Sequence, residues 1–338
     1  MYADSGAKPL AGKITLVTGA SRGVGRGIAR AFGEAGATVY VTGRTVQRGA
    51  VPEPGTIESV AAEVDALGGK GIPVRCDHTR DEEIRGLFAR IESESERLDV
   101  LVNNVHSGVY DMAEGVDRRF WEIEPGDWDR MNGAGLRGHY VASVHAARMM
   151  TRQHGGLILN VSSFGAVTYL FNVAYGVGKA ALDRLTADTA IELKSEGVAV
   201  LSLWPGLVRT ELTEQLMSEA TPGYRRVFEA YGESTMVTGR AAAVLAARPD
   251  NLRRTGRVLI AAEVLRSAGL RDEQGRKPCS PRSLRSFAMA LFPGRWQRLA
   301  ALAPHVTFPF WIARPVVRKF TEILKENGGF RGAGRGTR

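Results

Sequence analysis

The sequence predicts an α/β fold with a doubly wound parallel sheet in three α/β/α layers, followed by a C-terminal extension. Over the first 262 residues, short apolar runs rich in β-branched residues alternate with longer segments of helical periodicity. Such alternation is typical of a parallel sheet that is covered by helices on both faces. The alternation stops after Ala262, and residues 271–338 hold 14 Lys/Arg against 4 Asp/Glu. The boundary between the two parts is therefore predicted at 262/263.

Each element has its own local signal. Apolar β-branched runs predict six buried strands, at residues 14–19, 37–43, 71–77, 98–104, 156–163 and 198–206. Between them, helices are predicted at residues 21–36, 57–69 and 81–95. Glycines end the first two helices, and acidic residues fill the first turn of the third, where the helix dipole favours them. Further helices are expected before the fifth strand and after residue 174.

Composition narrows the class of protein. With 338 residues, 44% hydrophobic and 24% charged, the chain resembles ordinary soluble globular proteins. No apolar run is long enough for a transmembrane helix, and no signal peptide is expected at the N-terminus. Cys76 and Cys279 are the only cysteines, so we expect no disulfide framework, no metal site and a cytoplasmic setting. The net charge of +9 comes from the extension rather than from the main body.

A glycine-rich turn joins the first strand to the first helix. It reads Thr18-Gly-Ala-Ser-Arg-Gly-Val-Gly25. Glycines there allow the backbone to approach a pyrophosphate, which the amides and dipole of the helix N-terminus bind. The strand–turn–helix context makes this a Rossmann-type dinucleotide site. The predicted cofactor-binding residues of the turn are Gly19, Ser21, Arg22, Gly23, Val24 and Gly25.

The residues after the second strand indicate NADP(H) rather than NAD(H). An NAD-selective site usually has an acid there for the ribose 2′-hydroxyl, but residues 38–52 contain no Asp or Glu. Arg44 follows the strand instead, and Arg22 lies in the glycine turn. Two guanidinium groups suit a 2′-phosphate. Asp77 is placed either to accept a hydrogen bond from the adenine amino group or to cap a turn.

A tyrosine and a lysine are spaced one helical turn apart in AYGVGK (174–179). Side chains at positions i and i+4 lie on one face of a helix. An ammonium beside a phenol would lower its pKa from about 10. The spacing alone is common, and its meaning depends on the rest of the chain.

These motifs together resemble those of the short-chain dehydrogenase/reductase family. TGASRGVG, Asn103-Asn104, Ser162-Ser163, YGVGK and PGLVRTEL occur in the family's order, and the resemblance covers about residues 11–262. GLRGHY (135–140), FNVAYGVGKAA (171–181) and GLRDEQGR (269–276) resemble one branch of the family in more detail. That narrower likeness continues into the extension.

The resemblance implies a catalytic role for three residues. Tyr175 would be the general acid that protonates a carbonyl oxygen, and Lys179 would lower its pKa and hold the nicotinamide ribose. A serine would donate a hydrogen bond to the substrate oxygen. Strand register favours Ser163, whereas the family's usual spacing from the tyrosine points to Ser162. The substrate would be a small-molecule carbonyl compound or alcohol, and the protein a homo-oligomer.

Two departures from the family pattern affect this site. The usual asparagine of the helix after the fourth strand falls on Gly135, and Asn132, three residues earlier, is expected to point elsewhere. The usual NNAG is NNVH, which keeps Asn103 as a predicted cofactor-site residue that also ties its strand to its neighbours. His106 either lines the site or is an ordinary loop histidine. His139 and His145 are interpreted as structural.

The turn after the sixth strand would contact the nicotinamide in such a family member. Its predicted contacts are Pro205, Gly206, the Val208 backbone and the Thr210 side chain. Residues 207–237 would then form a substrate lid, which closes to exclude water. Met217, Tyr224, Phe228 and Tyr231 make that lid apolar, and Tyr169 and Phe171 would add to the same pocket, unless these residues pack in the core. A hydrophobic substrate is therefore expected.

The extension, residues 263–338, mixes arginines with aromatic residues and has a glycine-rich end that is expected to be disordered. It would pack on the body or on a partner subunit, or lie on an anionic membrane surface. No nucleic-acid motif is present. The competing hypothesis for the whole protein is a cofactor sensor or membrane scaffold without catalysis.

Overall fold

The structure is a computed structural model. A seven-stranded parallel sheet forms the centre of the molecule. The structure describes residues 8–46, 55–107, 118–218, 225, 228, 232–286, 303–304 and 306–309. The strands are β1 (Ile14–Val17), β2 (Thr38–Gly43), β3 (Lys70–Arg75), β4 (Val100–Asn103), β5 (Gly156–Val161), β6 (Val198–Trp204) and β9 (Val258–Ile260). Their spatial order is β3-β2-β1-β4-β5-β6-β9, and each neighbouring pair is parallel.

Helices cover both faces of this sheet. In chain order they are α1 (Gly23–Glu34), α2 (Ile57–Ala66), α3 (Asp81–Ser95), α4 (Pro125–Asn132), α5 (His139–Arg152), α6 (Val173–Leu193), α7 (Glu211–Ser218), α8 (Thr235–Ala247) and α9 (Ala261–Ser267). Residues of α1, α2, α8 and α9 share one apolar core. Residues of α3, α5 and α6 share the other. The predicted Rossmann-type, three-layer α/β/α fold is confirmed.

Local chemistry sets the helix ends. Thr56 and Ser59 cap α2 reciprocally, each side chain accepting from the other's backbone amide at 3.1 Å, which satisfies donors that the helix leaves unpaired. The α1 helix begins at Gly23 rather than at residue 21, because Arg22 has an extended backbone. Asn172 caps α6, and its Oδ1 accepts from the Tyr175 amide at 2.9 Å. The cap therefore fixes the first turn of the helix that carries the Tyr–Lys pair.

Three features were not predicted. The seventh strand, β9, is only three residues long, too short for its apolar pattern to stand out. A two-residue pair, β7 (Val208–Arg209) with β8 (Glu233–Ser234), closes the base of the predicted lid. A π-helical segment, Gly133–Gly138, joins α4 to α5. It contains Gly133, Gly135 and Gly138, and glycine tolerates such an irregular helical backbone.

The described part of the extension packs on the body. The Arg282 guanidinium bonds the Glu263 carboxylate at 2.5 and 2.7 Å. Phe308 packs against Phe164, Trp204 and Ile260. The α9 helix runs across the predicted boundary at 262/263. Residues 287–302 and 310–338, which hold most of the aromatic residues of the extension, lie outside the described part of the chain.

Candidate active site

A cleft of about 340 Å³ lies where the crossover direction reverses between β1 and β4. In open α/β sheets this switch point is where ligands bind. The predicted residues that line the cleft are Gly19, Ser21, Arg22, Gly23, Val24, Gly25, Arg44, Asp77, Ser163, Tyr175, Lys179, Pro205, Gly206, Val208 and Thr210. A cavity of about 700 Å³ between α9 and the extension is larger but contains none of them. The cleft is therefore the candidate site.

The glycine turn leaves no room for side chains. A Cβ on Gly25 would lie 2.3 Å from the Gly19 carbonyl oxygen and 2.4 Å from Asn104 Nδ2. Gly19 has a φ of 63°, a conformation that favours glycine. Asn104 Nδ2 donates to the carbonyl oxygens of Thr18 and Gly19 at 2.9 and 3.0 Å. Asn104 therefore ties the turn to β4, a role that the sequence did not reveal.

Asn103 was wrongly predicted as a cofactor contact. Its side chain is completely buried, and Nδ2 donates to Asn160 Oδ1 at 2.8 Å and to Ser143 Oγ at 2.9 Å. It does not line the cleft. The prediction that it ties its strand to neighbouring elements agrees with these bonds. The physical reason is strand alternation, because Asn103 is the last paired residue of β4 and Asn104 follows the strand.

At the other end of the turn, Arg22 and Arg44 line the same cleft. Asp77 Oδ1 accepts from the Thr79 amide at 3.0 Å and from Thr79 Oγ1 at 2.8 Å. Although burial opposes it, these bonds and the charge of Arg44 hold the pKa of Asp77 below its ordinary value. Asp77 thus caps a turn and also lines the cleft, so both of its predicted roles are compatible with its position.

Ser163, Tyr175 and Lys179 come together at the opposite end. The Tyr175 hydroxyl donates to Ser163 Oγ at 2.7 Å. Lys179 Nζ donates to the Val161 carbonyl oxygen at 3.1 Å and lies over the Tyr175 ring, 5.9 Å from its centroid. Ser162 is buried and its Oγ donates to the Lys179 carbonyl oxygen at 3.2 Å. Ser163, not Ser162, contacts the tyrosine hydroxyl.

Comparison with known proteins agrees with this geometry. The model of the short chain dehydrogenase family matches residues 13–221. The chain belongs to the short-chain dehydrogenase/reductase family. Human dehydrogenase/reductase SDR family member 1 is 42% identical over 322 residues, which are 93% of this chain and 100% of that protein. The likeness of residues 135–140, 171–181 and 269–276 to one branch of the family is therefore confirmed, and this human protein represents that branch.

More distant relatives share the catalytic body. The 3-oxoacyl-[acyl-carrier-protein] reductase FabG of Aquifex aeolicus is 32% identical over 218 residues, 64% of this chain and 82% of that protein. A metagenomic short-chain oxidoreductase solved in complex with NADP aligns with a TM-score of 0.59 and 26% identity, covering 75% of this chain and 97% of that one. This chain is thus a short-chain dehydrogenase/reductase with the oxidoreductase fold of its family.

In this short-chain dehydrogenase/reductase, the pKa of the Tyr175 phenol differs from the expectation. Burial raises the pKa of the Tyr175 phenol to about 12, and the hydrogen bond to Ser163 offsets only part of that rise. Burial also lowers the pKa of Lys179 to about 8, against the attraction of Asp183. The prediction that Lys179 lowers the pKa of Tyr175 is wrong for this structure, because desolvation raises the pKa of the phenol and only the hydrogen bond to Ser163 opposes the rise.

The residues at the two departures from the family pattern lie side by side. His106 lines the cleft, and a Cβ on Gly135 would lie 3.0 Å from its Nδ1. Asn132 Nδ2 donates to the Ala174 carbonyl oxygen at 3.2 Å, so its side chain contacts α6 and does not line the cleft. His139 is buried, with Nε2 3.0 Å from the Val105 carbonyl oxygen, and His145 stacks on Phe88. Both agree with the structural interpretation, and the described residues contain no group that could hold a metal ion.

At the turn after β6, one unpredicted residue holds the backbone. Glu233 Oε1 accepts from the Gly206 amide at 2.8 Å. Its own amide donates to the Leu207 carbonyl oxygen at 2.7 Å. Burial raises the pKa of Glu233 to about 7. Glu233 therefore joins the start of the lid to its end, and no motif in the sequence indicated it.

The predicted lid includes α7. Thr210 Oγ1 accepts from the Thr213 amide at 3.1 Å and so caps this helix. Met217 and Phe228 are buried, while Tyr224 and Tyr231 lie outside the described residues. Phe171 lines the cleft, whereas Tyr169 does not and is 41% exposed. Of the residues predicted to make the pocket apolar, Phe171 therefore contributes and Tyr169 does not.

No helix in the ranges that the structure describes is long and apolar enough to cross a membrane.

Proposed function

We propose that this protein is an NADPH-dependent oxidoreductase that reduces a hydrophobic ketone or aldehyde to an alcohol. The observation that carries the proposal is the 2.7 Å hydrogen bond between Tyr175 and Ser163, in a cleft that also contains Lys179. One carbonyl oxygen of a substrate could accept hydrogen bonds from both of these hydroxyl groups. A half-buried lysine in the same cleft adds positive charge to the site.

The opposite end of the cleft suits NADP(H). The glycine turn approaches its neighbours too closely for any Cβ at Gly25, and the α1 N-terminus points its amides towards an anion. The fork-shaped guanidinium groups of Arg22 and Arg44 suit a terminal 2′-phosphate. Pro205, Gly206, Val208 and Thr210 line the same cleft and would hold the nicotinamide.

When bound, NADPH supplies the hydride to the carbonyl carbon. Tyr175 then gives its phenolic proton to the carbonyl oxygen, so that the substrate gains one hydride and one proton. Ser163 Oγ lies within hydrogen-bond distance of the Tyr175 hydroxyl, so it would orient the same oxygen. Because burial raises the pKa of Tyr175 to about 12, the phenol keeps its proton at neutral pH and can donate it to the carbonyl oxygen.

Lys179 would assist the proton transfer from Tyr175 rather than the hydride transfer. Its ammonium lies over the Tyr175 ring and favours the tyrosinate that remains after proton transfer. With a pKa lowered to about 8, it stays mostly charged at neutral pH. It also faces the cofactor cleft, where its donors would hold the ribose hydroxyls.

A substitution at the tyrosine tests the proposal. Wild type and Tyr175→Phe are compared with NADPH on a panel of ketones and aldehydes, and cofactor binding is followed by fluorescence titration. We expect turnover to fall by roughly 100-fold or more, while NADPH binding stays nearly intact. Tyr140→Phe, at an exposed tyrosine of α5, is the control. Unchanged turnover in Tyr175→Phe would contradict the mechanism.

The same panel separates catalysis from the alternative of a non-catalytic sensor or scaffold. If wild type binds NADPH but transfers hydride to no carbonyl compound, the alternative is favoured. The intact Ser163, Tyr175 and Lys179 geometry supports catalysis. We also propose a homo-oligomer, which light scattering after size exclusion would test.

Membrane contact through the extension is tested in the full chain. Removing residues beyond 268 would also delete the Arg282–Glu263 contact and the Phe308 packing. A better variant reverses the charges of Arg314, Arg318 and Lys319 to Glu. Co-sedimentation with phosphatidylserine vesicles is compared with wild type and with a matched reversal at Arg85, Arg148 and Lys194. Equal binding by all three proteins would rule out a membrane role for that basic segment.

A further inference from the structure

The ring of Tyr175 is held between several neighbours that take no part in the proposed chemistry, and His106 is one of them. Phe171 contacts it edge-on, with centroids 5.2 Å apart and planes at 85°. A Cβ on Gly165 would lie 2.6 Å from Tyr175 Cε1, so the backbone presses against the ring. His106 contacts the ring as well, with centroids 5.9 Å apart and planes at 70°.

We propose that His106 is a positioning residue for Tyr175 and that Gly135 provides the space in which its imidazole lies. The inference rests on the proposed reduction, because it assigns the orientation of the proposed proton donor to this pair. It concerns packing and orientation, and His106 does not touch the reacting atoms in this assignment.

The room for the imidazole depends on a missing side chain. The position of a Cβ at residue 135 is 3.0 Å from His106 Nδ1 and 3.6 Å from the Val105 carbonyl oxygen. The second distance is an ordinary contact, but the first is so tight that the imidazole or the backbone would have to give way by a few tenths of an ångström. Gly135 lies in the π-helical segment Gly133–Gly138, which brings its backbone against the loop after β4. A side chain at this position would therefore displace the imidazole or the backbone that carries it.

The chemistry of the imidazole fits a neutral packing group. Burial, together with the nearby charge of Lys179, lowers the pKa of His106 to about 3, so the ring carries no charge at neutral pH. Nε2 is a buried atom with no hydrogen-bond partner among the described residues. The imidazole as a whole packs against the Tyr175 ring in an edge-type contact. A charged side chain here would instead repel the Lys179 ammonium or neutralise it.

The contact matters because the Tyr175–Ser163 bond depends on the orientation of the ring. The phenol oxygen lies at the far end of the ring from the backbone, so a small tilt moves it away from Ser163 Oγ. Proton transfer is sensitive to such displacement, and a shift of about 1 Å can reduce a rate by two orders of magnitude. Cofactor contacts at Arg22 and Arg44 lie at the other end of the cleft and would not change.

The test uses His106→Ala, His106→Phe, Gly135→Ala and the double variant His106→Ala/Gly135→Ala in the full chain. With a carbonyl substrate from the panel, we expect His106→Ala to lower kcat by roughly tenfold, with the KM for NADPH changed less than about twofold. His106→Phe keeps an aromatic edge against the tyrosine and should restore most of kcat. His145→Phe, at the histidine stacked on Phe88, is the matched control and should behave as wild type.

Coupling between the two positions is measured independently of turnover. Gly135→Ala should lower the melting temperature in the wild-type background but have little effect in the His106→Ala background, because the clash partner is then gone. If Gly135→Ala lowered the melting temperature equally in both backgrounds, the proposal that the two residues share this space would be overturned. Wild-type kcat in His106→Ala, or no rescue by His106→Phe, would overturn the positioning role. If wild type reduces no substrate, the proposed function fails while the stability cycle still decides whether the pair is coupled.

Discussion

The carboxylate of Glu211 accepts a hydrogen bond from the backbone amide of Gly23, with 3.2 Å between Oε2 and the nitrogen. Its other oxygen pairs with Arg26 at 3.0 Å. Glu211 is the first residue of α7, and Gly23 is the first residue of α1. The start of the lid is therefore fastened to the glycine turn, by an anion at the position where the proposed cofactor would present its phosphates.

Replacing this carboxylate should strengthen cofactor binding. Glu211→Gln keeps the shape of the side chain but removes a negative charge from the N-terminus of α1. One such charge is worth roughly 0.3–1 kcal/mol, so we expect NADPH to bind about two- to fivefold more tightly by isothermal titration calorimetry. Glu214→Gln, one turn further along α7 and exposed, is the control. Weaker binding, or the same change in both variants, would mean that Glu211 does not compete with the cofactor.

The two adjacent serines should respond very differently to substitution. Ser163 Oγ accepts a hydrogen bond from the Tyr175 hydroxyl at 2.7 Å, whereas Ser162 Oγ donates to the Lys179 backbone carbonyl oxygen and also bonds the Asp183 carboxylate. Ser163→Ala should lower kcat by roughly 100-fold. Ser162→Ala should leave kcat within about threefold of wild type and cost about 1 kcal/mol of unfolding free energy. Steady-state kinetics and chemical denaturation of both variants check this, and a larger kinetic loss in Ser162→Ala would reverse the assignment.

The serine pair also shows what the sequence determines well. Strand register placed Ser163 correctly beside Tyr175, because a strand alternates its side chains with a fixed period of two residues. The usual spacing from the tyrosine pointed to Ser162 and did not match the geometry. Counting along a loop is weaker than counting along a buried strand, since loops gain and lose residues readily. The sheet, the glycine turn and α6 followed from such local regularities.

Contacts made across the fold were not available from local patterns. Glu233 lies 27 residues after Gly206 and holds its amide, and nothing around Glu233 in the sequence marks it. The pKa of Tyr175 was misjudged for a related reason. The spacing to Lys179 was visible, but the burial of the phenol depends on elements from several parts of the chain. Asn104 lines the cleft and Asn103 does not, because one residue decides whether a side chain lies inside the sheet or beyond its end.

The preference for NADPH should depend on Arg44. This residue and Arg22 line the end of the cleft after β2, and no acid follows the strand to bind a 2′-hydroxyl. Arg44→Ala should raise the KM for NADPH by roughly 10- to 150-fold, because a charge-assisted hydrogen bond to phosphate is worth about 1.5–3 kcal/mol. The KM for NADH should change little. Parallel kinetics with the two cofactors test this, and an equal loss with both would assign Arg44 to structure rather than to selectivity.

Glu233 should make the stability of the protein depend on pH. Burial raises its pKa to about 7 in the folded protein, from an ordinary value of 4.5. The folded state therefore holds this proton more tightly than the unfolded state between these two values. By linkage, the contribution of Glu233 to stability is present below about pH 4.5 and is lost as the pH rises through 7. Over that window the loss is on the order of 3 kcal/mol.

The variant Glu233→Gln isolates this effect, because the amide keeps an acceptor for the Gly206 N–H but does not ionise. The unfolding free energy of the variant, relative to wild type, should rise from pH 5 to pH 8 as wild type loses stability. Urea denaturation at several pH values measures the difference. Glu192→Gln, at an exposed position on α6, should show no such trend. A constant difference between Glu233→Gln and wild type across this range would show that the buried carboxyl does not titrate there.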